Sequence, residues 1–150
     1  MARLLVVHHT PSPALQAVLE AVKEGVALAE GTELVLRPAL SAGPADLLAA
    51  DGVLLGTPAN IGYMSGALKH FFDLVYYPVL EEKARSPFGA YVHGNSDTAG
   101  ALRGIRTITT GLSWRQVGEP VTVVGDPSAE ELEACWNLGA TVAAELSPAF

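Results

Sequence analysis

The sequence predicts an α/β fold: a doubly wound, five-stranded parallel sheet in the order 2-1-3-4-5, with helices on both faces. Three observations predict it. Short, continuously apolar runs such as Leu4-Leu5-Val6-Val7 and Val53-Leu54-Leu55 are what strands look like when a parallel sheet is covered on both faces. These runs alternate with segments whose apolar residues recur at helical spacing. Five such strand–helix units fit a chain of 150 residues, the size of one doubly wound domain. No internal repeat, low-complexity segment or linker interrupts it, so residues 1–150 are expected to form a single domain.

The elements follow in order. Arg3–Val7 is the first strand, and His8-His9-Thr10-Pro11-Ser12-Pro13 the loop after it. Leu15, Val18, Leu19, Val22 and Val26 mark one face of a helix reaching about Ala29, with Gly31 suited to end it. Glu33–Arg37 reads as the second strand, and the segment from Gly43-Pro44 to Ala50 is too brief to assign as a helix. Val53–Leu55 is the third strand. Pro58, with a fixed φ and no N–H, is expected to turn the chain sharply off it. Leu68, Phe71, Phe72 and Val75 then form the apolar face of a third helix. Lys69, His70 and Asp73 lie on its other face, and the helix is expected to fade near Tyr77-Pro78.

Glu81–Pro87 reads as an exposed charged connection and Phe88–His93 as the fourth strand. Gly94–Gly100 is its outgoing loop, followed by a helix ending near Gly111. Trp114 is expected to be exposed to intermediate, a position suited to a subunit contact. Val121–Val124 is the fifth strand. Either Ser128, in a capping box with Glu131, or Asp126 before Pro127 can cap the last helix. Leu132, Cys135, Trp136, Gly139, Val142, Ala143 and Leu146 face inward on that helix. The strand order makes strands one, three and four neighbours, so loops 8–14, 57–65 and 93–100 form one rim.

Composition narrows the function classes. Nine Lys and Arg against sixteen Asp and Glu give a formal charge of −7. A duplex or an anionic membrane surface needs clustered cations, and none are visible, so neither partner is expected. One cysteine, Cys135, makes no intrachain disulfide. The first apolar run is too short for a secretory signal, and no run approaches the ~18 residues of a membrane span. A cytoplasmic location is expected. No G-x-G-x-x-G or G-x-x-x-x-G-K-[ST] occurs, which disfavours a dinucleotide fingerprint and a P-loop.

The stretch Gly56–Asp73 carries the functional signal. Ligands of open α/β sheets sit outside the carboxyl ends of strands, and here the chain leaves the third strand through Pro58-Ala59-Asn60-Ile61-Gly62. Gly62 can adopt positive φ or let another molecule approach its backbone. Pro58, Gly62, Ser65-Gly66, Leu68-Lys69, Phe71 and Asp73 resemble the P-x-x-x-G-x-x-S-G-x-L-K-x-F-x-D pattern of the flavodoxin-like NAD(P)H-dependent FMN and quinone reductases. The resemblance implies that Pro58, Ala59, Asn60, Ile61 and Gly62 run along the isoalloxazine ring of bound FMN.

It also implies a phosphate loop after the first strand, of the form S/T-x-T/S-G-x-T. Thr10 and Ser12 match its hydroxyl positions, while Pro13 replaces the Gly and Leu15 the last Thr. Pro11 and Pro13 remove two amide donors from that loop. His9, Thr10, Ser12, Ala14 and Leu15 are the expected phosphate-side residues. Orphan amides and the helix dipole hold an anion there without any Lys or Arg. Plain helix capping is the alternative role for Thr10 and Ser12. His93, Gly94 and Asn95 complete the expected flavin rim, with His93 either hydrogen-bonding the flavin or satisfied as a strand-end histidine.

No side-chain acid or base is required for hydride transfer to a flavin, so no catalytic residue is named. No metal is expected. His8, His9 and His93 end strands held apart by the third strand, with no carboxylate or cysteine at ligand spacing. Ser96 lacks the closing Gly of a nucleophile elbow, and Cys135 lies on an apolar helix face. The expected function is FMN-dependent reduction of a quinone or similar acceptor by NADH or NADPH, with a small-molecule acceptor or a redox protein as partner, in a chain that can form a homo-oligomer. The alternatives are a one-electron carrier and a domain that has lost FMN and serves as a binding module, which Pro11 and Pro13 favour.

Overall fold

A computed structural model describes residues 1–146. Seven strands and five helices follow in the order β1 (Ala2–His8), α1 (Pro13–Ala27), β2 (Thr32–Pro38), α2 (Pro44–Leu48), β3 (Gly52–Asn60), β4 (Tyr63–Met64), α3 (Gly66–Val79), β5 (Pro87–Gly94), α4 (Ala99–Gly111), β6 (Arg115–Gln116), β7 (Val121–Val124) and α5 (Ala129–Glu145). The principal sheet runs β2-β1-β3-β5, all parallel. Its last position is shared by β6, beside Pro87-Phe88, and β7, beside Tyr91–Gly94. This is the expected 2-1-3-4-5 order with its fifth strand split. Gly118 at φ +73 and Pro120, which has no N–H to donate, interrupt that strand in the middle.

Alternation of side chains along each strand divides the core in two. Leu5 and Val7 of β1, Val53 and Leu55 of β3, and Phe88, Ala90 and Val92 of β5 meet Leu68, Phe71, Phe72 and Val75 of α3 and Ile105 of α4. Leu4, Val6, Leu54 and Tyr91 point the other way, onto Leu15, Val18, Leu19 and Val22 of α1 and Cys135, Leu138 and Val142 of α5. Each Phe or Leu so buried contributes roughly 1.5–3 kcal/mol. On the second face α1 and α5 approach backbone to backbone. A Cβ on Gly25 would lie 1.9 Å from the Trp136 carbonyl oxygen, and one on Gly139 would lie 2.2 Å from that of Val22.

Several expectations are corrected. Pro58 does not turn the chain off the third strand. β3 continues to Asn60, with Pro58 in register with His93. Gly56 sends its carbonyl toward β1, to the amide of His9 at 3.0 Å. Strand groups alternate sides, so Pro58 also faces β1, which has already ended, and no ladder bond is lost. α3 ends at Val79, one residue past Pro78 and near its expected end; the Val79 side chain is fully buried and anchors the last turn. Trp114 is not a surface residue. Only 7% of it is exposed, and its indole packs on Phe72 and Phe88 at 6.3 and 6.1 Å between ring centroids. Ser113, at φ +60, reverses the chain after α4 and folds the indole under β5. No described helix is long and apolar enough to cross a membrane.

Candidate functional site

At the carboxyl ends of β1, β3 and β5 three loops meet, as the strand order requires. The first begins with His9 and enters α1 at Ser12, an extended residue whose Oγ accepts from the Leu15 amide at 3.2 Å. Ser12 is therefore the helix N-cap, and its O–H remains free to donate. Pro13 occupies the first helical turn, where a missing N–H costs nothing. Thr10 Oγ1 lies 2.7 Å from His8 Nδ1. Burial, then the neighbouring His9 and Lys23, hold the His8 imidazole below its ordinary pKa, so His8 is a neutral partner for Thr10. His9 Nδ1 is buried and has no hydrogen-bond partner among the described residues.

The second loop is a β-hairpin. β3 and β4 pair antiparallel, Asn60 opposite Tyr63, around the two-residue turn Ile61-Gly62. Both turn residues have positive φ, +49 at Ile61 and +75 at Gly62, as a type I′ turn demands. The hairpin is fastened at its base. Thr57 Oγ1 donates to the Pro58 carbonyl at 2.8 Å and accepts from the Ser65 amide at 3.0 Å. Ser65 caps α3 by accepting from the Leu68 amide at 3.2 Å. Both hydroxyl residues are fully buried. From behind, α4 presses on the hairpin through two glycines. A Cβ on Gly100 would lie 1.9 Å from the Gly62 carbonyl oxygen, and one on Gly104 2.5 Å from the Tyr63 ring.

The third loop follows Gly94, where a Cβ would crowd Thr98 and Ala59 at 3.2 and 3.3 Å. The Asp97 carboxylate accepts from the Ala99 amide, the first of α4, at 2.9 Å, while Thr98 at the N-cap makes no side-chain cap bond. His93 Nε2 lies 2.9 Å from the Gly125 carbonyl, and the Gly125 amide donates to the Gly94 carbonyl at 2.9 Å. His93 thus clips the loop after β7 to the end of β5 and brings Gly125–Ser128 to the rim as well.

The expected site residues divide as follows. His9, Thr10, Ser12 and Ala14 are partly exposed around the first loop, while the Leu15 side chain is buried in the core and its amide is taken by Ser12. Pro58 is buried, Ala59 partly buried, and Asn60, Ile61 and Gly62 exposed on the hairpin. Gly94 is buried, Asn95 exposed, and His93 points to Gly125. Thr57, Gly100 and Gly104, which help hold the hairpin in place, escaped the sequence reading, and Ser65 entered it only as part of the family pattern. The four-residue spacing of the two glycines was the available signal for a close approach. Ser128, rather than Asp126, caps α5 and makes the capping box with Glu131.

A rim built this way offers an anionic ligand a place at one end. A helix N-terminus with a donor hydroxyl faces one end of it. A buried ring nitrogen without a partner, His9 Nδ1, lies in the same loop. A hairpin presents its backbone at the middle, and the glycine end of β5 closes it.

Fold and rim together define a flavodoxin-fold α/β protein. A family model described as NADPH-dependent FMN reductase matches residues 29–127. A flavodoxin of Aquifex aeolicus is 31% identical, over 95% of this chain and 86% of that protein. This chain belongs to the NADPH-dependent FMN reductase family. Among solved structures, the flavodoxin, WrbA-like protein from Agrobacterium tumefaciens superposes with a TM-score of 0.79 at 22% identity, covering 97% of this chain and 98% of that one. An NADH:FMN oxidoreductase in its apo form gives 0.78 at 16% identity, covering 99% and 91%. At those identities the structures establish the fold.

Proposed function

We propose that the protein binds FMN at the rim described above and uses it to pass electrons from NADH or NADPH to a quinone or a similar small acceptor. Family membership supports FMN as the cofactor. In this reading the Ser12 hydroxyl and the amides at the start of α1 hold the phosphate. The backbone of Pro58–Gly62 runs along the ring, and Gly94-Asn95 closes the far edge. When bound, FMN would supply the hydride- and electron-transfer chemistry. The net reaction balances as NAD(P)H, one proton and a quinone giving NAD(P)⁺ and the hydroquinone. The chain's own part is to bind, orient and leave one ring face accessible.

The observation that carries the reading is the open side of the rim. Asn95–Gly100 has no aromatic residue, and Tyr63 on the hairpin is the single aromatic among the described residues of loop 57–65. A ring face left uncovered suits an enzyme whose substrates stack on it in turn. The flavodoxin relative favours the second reading, a one-electron carrier. Anaerobic mixing of FMN-loaded protein with NADH or NADPH separates the two. Bleaching of the flavin, followed by reoxidation with a quinone, is the expected result. No response to either nicotinamide, with a one-electron state accumulating under stepwise chemical reduction, assigns the protein as a carrier instead.

A further inference from the structure

β2 ends the sheet, pairing with β1 on one side and with nothing on the other among the described residues. Leu34, Val35 and Leu36 are partly exposed along it, between exposed Glu33 and Arg37. A free edge of this kind is a template for another strand, and its backbone defines which strand. The Ala2 amide donates to the Gly31 carbonyl at 3.0 Å. With Ala2 in register with Thr32, Glu33, Val35 and Arg37 therefore turn their backbone groups toward β1. Strand groups alternate sides, so Thr32, Leu34 and Leu36 turn theirs to the open edge. The Thr32 amide is already taken by the Ala29 carbonyl at 3.4 Å, and Pro38 has no N–H. The free donors of this edge are thus the Leu34 and Leu36 amides, closed off at both ends.

That pattern is complementary to itself. In an antiparallel pair related by a two-fold axis through Val35, Leu34 of one copy stands opposite Leu36 of the other. Both face the seam, so each such pair exchanges both of its N–H···O=C bonds, and every free donor of the two edges is used. An axis through Leu34 would set Leu36 against the occupied Thr32 amide, and one through Leu36 would set Leu34 against Pro38. The axis through Val35 also sets Glu33 opposite Arg37 on both sides of itself, in non-hydrogen-bonded pairs whose Cα atoms approach to about 4.5 Å. Within one chain Glu33 meets Arg3 at 2.9 Å and Arg37 meets Asp46 at 3.4 Å, so the pairing joins existing ion pairs into a network. Exposed Leu28 and Leu40 lie just before and just after the strand. Antiparallel pairing brings Leu28 of one copy and Leu40 of the other to the same end of the seam. An unrelated strand would have to carry this order of charged and apolar residues in reverse, whereas a second copy supplies it by symmetry.

We propose that the β2 edge is a homodimer interface, at which a second copy of this chain pairs antiparallel about Val35 and makes the two sheets continuous. The charge of −7 on each copy opposes association at long range, so the test is run at about 0.15 M salt, where charges more than about 8 Å apart are screened. Sedimentation velocity over a dilution series should find the parent protein dimeric. Glu33→Arg puts a guanidinium opposite Arg37 of the second copy, and Arg37→Glu puts a carboxylate opposite its Glu33. Like charges then face each other in both pairs, and the dimer dissociation constant of either variant should rise at least about tenfold. An equimolar mixture of the two variants restores opposite charges in both pairs and should recover the parent affinity as a heterodimer. A variant that had merely lost its fold could not be recovered by mixing. Hydrogen exchange reads the register: the Leu34 and Leu36 amides should slow with rising concentration in the parent and in the mixture, and not in either variant alone. A parent that stays monomeric, single variants that dimerise like the parent, a mixture that stays monomeric, or Leu34 and Leu36 amides that exchange at the same rate in monomer and dimer overturns the proposal.

Discussion

Gly100→Ala tests whether α4 sets the position of the hairpin. The added Cβ would stand 1.9 Å from the Gly62 carbonyl oxygen and 2.9 Å from its carbon. Both are backbone atoms, so no rotamer change relieves the contact, and the tip must shift by about 1.5 Å to restore a van der Waals separation. Overpacking of this kind costs about 1–3 kcal/mol, which lowers the thermal midpoint of a protein this size by roughly 2–12 °C at about 2–4 °C per kcal/mol. If Pro58–Gly62 runs along the flavin ring, the same displacement loosens FMN at least about tenfold, or about 1.4 kcal/mol. Gly139→Ala is the control. Its Cβ would lie 2.2 Å from the Val22 carbonyl oxygen, so it strains the α1–α5 crossing on the opposite face of the sheet. It should lower the midpoint comparably while leaving the FMN affinity of the folded fraction unchanged. Thermal unfolding of the unloaded proteins and fluorescence titration with FMN provide both numbers. A Gly100→Ala protein that is destabilised yet binds FMN like the parent would refute the coupling of hairpin to ligand, and one that is not destabilised would refute the packing argument itself.

Other outcomes follow from single groups. Tyr91→Phe removes a fully buried hydroxyl with no partner among the described residues. It should be neutral or stabilise by up to about 1 kcal/mol, and a clear loss in chemical denaturation would mean that the hydroxyl is bonded. Ser12→Ala removes the cap on the Leu15 amide and should cost about 1 kcal/mol of stability. It should also weaken FMN by about 1.5–3 kcal/mol while leaving riboflavin unaffected, because the lost bond is to a charged group; equal weakening of both ligands would remove the phosphate from the first loop. His8 has its pKa lowered by burial, His9 and Lys23. The unfolded chain therefore takes up its proton first, and stability contributed by neutral His8 is complete above the ordinary histidine value of about 6.5 and declines as pH falls below it. Thermal midpoints at pH 7.5 and 5.5 should show a smaller acid loss in His8→Asn than in the parent, and equal losses would assign the acid sensitivity elsewhere.

The rim was legible in the sequence because its signals are local. Apolar runs gave the strands, helical spacing gave the faces, and the alternation of the two gave a parallel sheet and hence neighbouring loops after β1, β3 and β5. Ser12, as a polar residue just ahead of an apolar helix face, marks an N-cap by its chemistry alone. Tertiary structure decided the rest, because those features depend on what lies alongside. Pro58 stays in a strand only because β1 has already ended next to it. Trp114 is buried because β5 covers it rather than by any preference of its own. β4 and β6, two residues each, are too short for a period to show and exist only as pairings with β3 and β5. Gly100 reads as an unremarkable helix residue until the carbonyl of Gly62 is set against it. Sequence thus determined which ends of which strands face the site. Contacts between segments distant along the chain determined the shape of the backbone presented there, because a residue's neighbours across the fold are absent from its neighbours along it.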